Sequence, residues 1–154
     1  MQRYRKLGGQ AVARLTLAIA NRIIEAAFGR ASELELKPLG VAVLDAGGHL
    51  LAFQRQDGAS FMRHEVAAGK AFGALATGMG SRALGKAAVD RPHFFAGLSG
   101  VSGGRIVPVA GGVLVRDADG EILGAVGVSG DTSDNDEICA VAGIEAAGLA
   151  ADAG

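Results

Sequence analysis

The chain has 154 residues, of which 49% are hydrophobic and 20% charged, a balance that excludes a disordered chain and indicates one domain of common size. Its apolar segments are interrupted by glycine or charge well before the roughly 20 residues that a membrane-spanning helix requires, so we expect a soluble protein. The formal net charge of −1 gives no general attraction for nucleic acid or acidic membranes.

The first 14 residues are predicted to form an N-terminal arm, followed by a single domain from residue 15 to residue 154. A solvated or subunit-contacting arm fits this short segment better than nucleic-acid binding. It also lacks the long apolar stretch and small-residue cleavage site of a signal peptide, so we expect a cytoplasmic protein. The basic residues of the arm are Arg3, Arg5, Lys6 and Arg14.

A helix is predicted to begin after Thr16, whose hydroxyl is a suitable N-cap. We expect this helix to end at Gly29, because residues 30–37 are polar and lead to a proline. Apolar residues recur at the spacing of one helix face, at Ala20, Ile23, Ile24, Ala27 and Phe28.

Residues 41–52 and 113–124 repeat one pattern, in which an apolar strand, an Asp-Ala-x-Gly turn and a second apolar strand follow one another. An aspartate that opens a type I turn, with a glycine where positive φ is needed, predicts a tight β-hairpin in each. The first hairpin should have strands over 39–44 and 49–55, and Asp57-Gly58 marks a further turn.

A second helix is predicted from about residue 60 to residue 84, and its small residues favour close packing. Gly78 and Gly80 weaken its C-terminal part, so we expect it to end or kink there. Residues 90–112, with two prolines and two Gly-Gly pairs, are predicted to form a long loop with a short strand near 105–108. One side of the helix carries Met62, Val66, Gly69, Phe72 or Gly73, and Ala76.

After the second hairpin, an acidic segment leads into a final helix over about 135–149. Asp134 and Glu137 have the spacing of a capping box. Together with Asp136 they could instead bind a divalent cation, but they lack the alternate spacing and central glycine of an EF-hand loop, so we expect no metal site. Cys139, the single cysteine, has apolar neighbours and is expected to be buried and unreactive.

The order helix, hairpin, helix, short strand, hairpin, helix indicates an α+β domain with one mainly antiparallel sheet and helices on its faces. Its characteristic segments are residues 41–52, 57–59, 69–71, 111–112 and 124–130. In combination they resemble the GlcG/HbpS-like family, which includes the C-terminal domain of PduO-type corrinoid adenosyltransferases. The resemblance implies a profilin-like sheet of about five antiparallel strands flanked by helices, assembly as a homo-oligomer, and binding of haem or a related tetrapyrrole.

Haem binding requires an apolar cleft with an axial His, Cys, Met or Tyr ligand. His49 follows the first hairpin turn and is expected to be solvated. His64, at the start of the second helix, could serve as a ligand or in acid–base chemistry, or could simply cap the helix and pair with a neighbour. His93 precedes Phe94 in the long loop and could close over a flat apolar ligand, or the loop could pack in a subunit contact.

Lys70 is the one charged residue in an otherwise apolar stretch, so it could act as a desolvated base or an anion anchor, or extend to solvent. Arg55 and Arg105 are candidates for binding a carboxylate. The Gly111-Gly112 pair allows a ligand, or another part of the chain, to approach the backbone closely. Residues 127–130 lead into a helix start, where backbone N–H groups can hold an anion. Their glycines could instead serve close packing of strand and helix.

The leading hypothesis is a homo-oligomeric small-ligand-binding protein, with the tetrapyrrole implied by the resemblance held between the second helix, the glycine-rich loop and the sheet. The first alternative is a lyase or isomerase acting on a small organic acid in glycolate, diol or aromatic catabolism, with Lys70 and His64 as acid–base groups. The second is an accessory subunit with an apolar interface around Phe94 and no enclosed pocket. We expect the first hairpin to bring Arg55 and Asp57 towards the helix that carries Lys70.

Overall fold

The computed structural model describes residues 14–154, so nearly all of the predicted arm lies outside the described part of the chain. The elements of that part are α1 (Leu17–Glu33), β1 (Gly40–Asp45), β2 (Leu50–Arg55), α2 (Arg63–Thr77), α3 (Ser81–Asp90), α4 (Pro92–Val101), β3 (Gly112–Arg116), β4 (Ile122–Ser129), α5 (Ser133–Ala146) and β5 (Ala150–Asp152). The five strands form one antiparallel sheet in the order β2-β1-β4-β3-β5, which confirms the predicted α+β fold. The strand β5 was not expected from the sequence.

The helix α1 begins as predicted, because the Thr16 hydroxyl oxygen accepts a hydrogen bond from the Ile19 N–H at 3.2 Å. The predicted end at Gly29 is wrong, and the helix continues to Glu33. A glycine costs a helix only about 1 kcal/mol, and the burial of Ala31 in the next turn offsets that cost.

Both predicted hairpins form, and their turns use the same hydrogen bonds. The Oδ1 atoms of Asp45 and Asp117 each accept bonds from the N–H groups two and four residues later, at 2.9 and 3.0 Å. Gly48 and Gly120 adopt φ values of +80° and +85°, which explains why both turns require glycine there.

The sheet buries both of its faces, because successive residues of a strand point in opposite directions. One face packs against α1 and α5 through Val41, Val43, Val113, Val115, Val126 and Val128. The opposite face packs against α2 through Leu44, Ala71, Ala74, Leu114 and Ala125. The second contact is very close, since a Cβ atom on Gly127 would lie 1.8 Å from the carbonyl oxygen of Ala67.

The predicted second helix is two helices, and its expected break is confirmed. Gly78 closes α2 in the left-handed conformation, with φ +70°, and α3 begins at Ser81. No helix within residues 14–154 has the length and apolar character needed to cross a membrane.

The predicted long loop over 90–112 is wrong in its first half, where Pro92 opens the helix α4. Proline suits this position because the first N–H of a helix has no intrahelical partner and its φ is already helical. The predicted strand near 105–108 is also wrong. This segment crosses α2 instead, and the Val107 N–H donates to the carbonyl oxygen of Gly69 at 3.2 Å.

The helix α5 begins with a different cap from the one expected. The hydroxyl of Thr132 accepts a hydrogen bond from the Asn135 N–H at 3.2 Å, so the predicted capping box of Asp134 and Glu137 is wrong. Both carboxylates bind the guanidinium of Arg82 on α3, with Arg82 Nε and Glu137 Oε1 at 2.9 Å. The predicted helix also extends too far, because α5 ends at residue 146.

Candidate functional site

A cavity of about 540 Å³ lies between α2, the segment 104–107 and the β1–β2 hairpin. This volume is typical of a site for a small molecule, and the position is the one expected for the cleft. The apolar side chains of its wall come from Leu44, Leu50, Met62, Val66, Phe72 and Val107. The ionisable side chains in the lining are those of His64, Glu65 and Arg105.

Glycines allow the segment 104–107 to form one wall. A Cβ atom on Gly69 would lie 2.6 Å from Val107 Cγ2 and 2.8 Å from the Arg105 carbonyl oxygen, so only glycine lets this segment rest directly on α2. Gly103 and Gly104 turn the chain back from α4 with φ values of +68° and +75°. These three glycines therefore determine the position of Arg105 relative to the cavity.

His64 lies in the first turn of α2 and lines the cavity. Its side chain is 44% exposed, and its Nδ1 lies 3.7 Å from Glu65 Oε1. The ring packs edge-on against Phe53, with the ring centroids 4.8 Å apart. An imidazole placed in this way can coordinate a metal or exchange a proton with a bound molecule.

Arg105 lines the cavity from the segment 104–107, whereas His64 lines it from α2. Its Nε donates a hydrogen bond to the Ser102 carbonyl oxygen at 2.8 Å. The guanidinium carbon lies 4.1 Å from the centre of the Phe72 ring, in a cation–π contact with a residue of the cavity wall.

The structure does not bring Lys70 to this cavity. Its Nζ is buried and donates hydrogen bonds to the Val128 carbonyl oxygen and to Asp136 Oδ2, each at 2.9 Å. Burial lowers the pKa of Lys70, and the charge of Asp136 opposes this effect. Lys70 therefore neither extends to solvent nor meets His64, although both lie on α2.

The Gly111-Gly112 pair packs around Lys70 and not around the cavity. A Cβ atom on Gly111 would lie 2.9 Å from Lys70 Nζ, and one on Gly112 would lie 2.3 Å from the Lys70 carbonyl oxygen. Gly111 also adopts a φ of +115°, a conformation that favours glycine. The pair thus permits close packing of the chain on α2.

His93 and Phe94 lie on α4, and neither lines the cavity. His93 is exposed, and the ring of Phe94 lies 4.4 Å from the guanidinium carbon of Arg91. His93 does not lie over the cavity, because the segment that carries it is the helix α4, which packs on α3. His49 is exposed, as expected, and its Nδ1 lies 3.3 Å from Asp45 Oδ1.

Arg55 and Asp57 line a separate polar cleft, together with Glu35 near the end of α1. This corrects the expectation that the first hairpin directs them towards Lys70. The strand β2 is at the edge of the sheet, and its C-terminal end meets the end of α1 instead.

The described residues contain neither a cluster of protein ligands for a metal ion nor an exposed thiol. Within residues 14–154 no group of three or more His, Cys, Asp and Glu side chains is placed to hold a metal ion. Cys139 is fully buried, as predicted, and burial raises the pKa of its thiol to about 11. The thiol therefore stays protonated at neutral pH.

Sequence reasoning missed most of the cavity wall, although the signal was present. Met62, Val66, Gly69 and Phe72 recur on one side of the predicted second helix, whose small residues predict close packing. All four line the cavity. An apolar helix face looks the same in a sequence whether it meets a sheet or a cavity.

The fold and the cavity define an α+β protein with a largely apolar cavity of small-molecule size beside α2. The chain belongs to the HbpS-like family, because the family model described as "Haem degrading protein HbpS-like" matches residues 15–145. This confirms the family resemblance seen in the sequence.

Three similar proteins illustrate the match. An uncharacterized 15.0 kDa protein in the dhaT-dhaS intergenic region of Citrobacter freundii is 33% identical over 131 residues, which cover 85% of this chain and 90% of that protein. The crystal structure of a PduOC:heme complex has a TM-score of 0.79 and 27% identity, covering 89% of this chain and 97% of the other. A double mutant of HbpS from Streptomyces reticuli has a TM-score of 0.76 and 29% identity, with coverages of 94% and 96%.

Proposed function

We propose that this protein binds a small ligand in the cavity beside α2, and that the ligand is haem or a related tetrapyrrole. The observation that carries the proposal is the presence of His64 in an otherwise largely apolar cavity of about 540 Å³. The description of the family as haem-degrading and the heme complex of the similar PduOC structure support the choice of ligand.

The residues of the cavity fit such a group. Leu50, Val66 and Val107 offer apolar surface to a macrocycle. His64 would hold the iron, and Met62 in the same wall offers a thioether; imidazole and thioether groups both bind haem iron in proteins. Bound haem supplies one-electron and oxygen chemistry.

The chain's own contribution is to orient His64. The edge-on contact with Phe53 restricts the imidazole ring. The Glu65 carboxylate lies 3.7 Å from Nδ1, on one side of the ring. His64 would use a ring nitrogen to hold the iron.

The alternatives receive less support. The lyase or isomerase hypothesis relied on Lys70 and His64 acting together, and the ion pair with Asp136 keeps Lys70 out of the cavity.

Self-association is part of our proposal, because α3 and α4 expose apolar side chains that a partner copy would cover. Light scattering would measure it. The exposed side chains are Val89, Phe94 and Val101.

Titration with haemin tests the proposed ligand. We expect a saturable shift of the Soret band in the unmodified protein, and at least a tenfold weaker, spectrally altered complex in His64→Ala. His93→Ala is the matched control, since it removes an exposed imidazole from α4, and it should bind as the unmodified protein does. Circular dichroism checks that each variant is folded.

The absence of a saturable shift would contradict haem binding. A normal shift in His64→Ala would remove His64 from iron coordination, and a lost shift in His93→Ala would place the site elsewhere.

A further inference from the structure

We infer that Arg105 binds a carboxylate of the ligand, so that the cavity selects flat apolar molecules that carry an acid group. This inference deepens the proposed function and rests on the same cavity, but it does not depend on iron. It predicts that, among flat apolar molecules, the cavity binds those with a carboxylate more tightly than those without one.

Arg105 provides the one arginine or lysine side chain in the cavity lining, as far as residues 14–154 show. The Arg105 side chain is exposed beside this largely apolar wall. A ligand with a carboxylate would give the guanidinium an anionic partner, whereas an uncharged apolar ligand would not. The carboxylate of the lining, Glu65, forms no ion pair with Arg105 and lies beside His64 instead.

The donors of Arg105 are available for such a contact. Other arginines of the described chain already bind carboxylates, as the pairs Arg30–Glu33, Arg82–Glu137 and Arg116–Asp152 show. Arg105 has no carboxylate partner within residues 14–154, and its two terminal nitrogens make no hydrogen bond there. Those two nitrogens can bind both oxygens of one carboxylate.

The guanidinium is also held in place before a ligand binds. Its Nε is fixed by the Ser102 carbonyl oxygen, and its face is fixed by the ring of Phe72. The backbone beneath it rests on Gly69, where no larger residue fits. Little side-chain freedom is therefore lost on binding, which favours affinity.

One guanidinium suits a carboxylate better than a phosphate. A carboxylate carries one charge and two acceptor oxygens in a plane, which the planar guanidinium matches. Phosphate sites use several donors, commonly backbone N–H groups at a helix start. The helix start that lines this cavity, the first turn of α2, already carries the Glu65 carboxylate, which disfavours a second anion there.

An iron-free probe pair tests this inference separately from haem binding. Pyrenebutyric acid and its methyl ester share a flat apolar body and differ in the carboxylate, and pyrene fluorescence reports their binding. At neutral pH the unmodified protein should bind the acid about two- to fivefold more tightly than the ester, as expected for a solvent-exposed pair of a guanidinium and a carboxylate. Arg105→Met should bind the acid as weakly as the ester, with ester binding unchanged.

Two further variants sharpen the test. Arg105→Lys keeps the charge without the planar donor pair and should retain only part of the preference for the acid. Arg22→Gln removes an exposed arginine from α1, on the other face of the sheet, and should bind both probes as the unmodified protein does.

Equal binding of acid and ester, or binding of neither, would overturn the inference. So would an equal loss of both probes in Arg105→Met, since that result means a structural role. Haemin binding in any of these cases would leave the proposed function standing. A preference for the acid without haemin binding would refute haem as the ligand and support the role of Arg105.

Discussion

Lys70 and Asp136 form an ion pair in the interior of the protein, with Nζ and Oδ2 2.9 Å apart and side chains that are 3% and 2% exposed. The pair joins α2 to α5, which pack on opposite faces of the sheet. Both groups have further partners, since Lys70 donates to the Val128 carbonyl oxygen and Asp136 Oδ1 accepts from the Asp131 N–H at 3.0 Å. Lys70, a candidate base from the sequence, is thus bonded within the protein interior and links α2 to α5.

Lys70→Met should lower the free energy of unfolding by about 3–5 kcal/mol, because it leaves the Asp136 carboxylate buried without its countercharge. Urea denaturation measures the change. The double variant Lys70→Met with Asp136→Leu should lose less than the two single changes together, since no buried charge then remains. A Lys70→Met protein of normal stability would contradict this structural role.

Gly69→Ala should disturb the cavity through the backbone. The new methyl group would meet Val107 Cγ2 and the Arg105 carbonyl oxygen, so the segment 104–107 must move. We expect a loss of about 1–3 kcal/mol in the free energy of unfolding and weaker binding of pyrenebutyric acid. Urea denaturation and fluorescence titration measure the two effects. Unchanged binding in the folded variant would mean that this contact does not position Arg105.

Gly97→Ala tests whether α4 is a helix. The position lies inside Pro92–Val101, and a Cβ atom there would meet nothing within 4 Å. Replacing an exposed helical glycine with alanine should raise the free energy of unfolding by about 0.5–1 kcal/mol, and thermal unfolding would show it. A loss of stability would contradict the helix.

Local signals made much of the fold predictable. The Thr16 cap, the Asp-Ala-x-Gly turns and the break at Gly78 each depend on residues within a few positions of one another, and all three are confirmed. The helix α4 was missed because Gly97 and Gly100 lower its helix propensity, whereas its packing on α3 leaves no local trace.

The site depends on longer distances in the sequence. Lys70 and Asp136 are 66 residues apart in the sequence, so no local pattern predicts that their side chains pair. Arg105 was identified as a carboxylate candidate from its glycine-rich surroundings, but its contact with Phe72 required the fold. The roles of His64 and Arg105 in binding stay predictions.

Asp131 should make the protein's stability depend on acid pH. Hydrogen bonds from the Asn135 side chain and from the N–H groups of Thr132 and Lys37 lower the pKa of its carboxyl from 3.8 to about 2. Because the folded-state pKa lies below the unfolded-state value, the stabilisation is complete above pH 3.8 and is lost as the pH falls towards about 2. Asp131→Asn should flatten the stability profile across this window.

Urea denaturation at a series of acid pH values measures this profile. Asp119→Asn is the matched control, since it removes the same charge from an exposed position in the second hairpin turn and so separates the effect of net charge from that of the hydrogen bonds. If both variants change the profile equally, net charge and not the Asp131 hydrogen bonds is responsible. A steeper loss of unfolding free energy in the unmodified protein than in Asp131→Asn, with the Asp119→Asn control like the unmodified protein, would assign the acid sensitivity to the start of α5. There the Asp131 carboxylate also accepts a hydrogen bond from the Lys37 N–H, just after the end of β4.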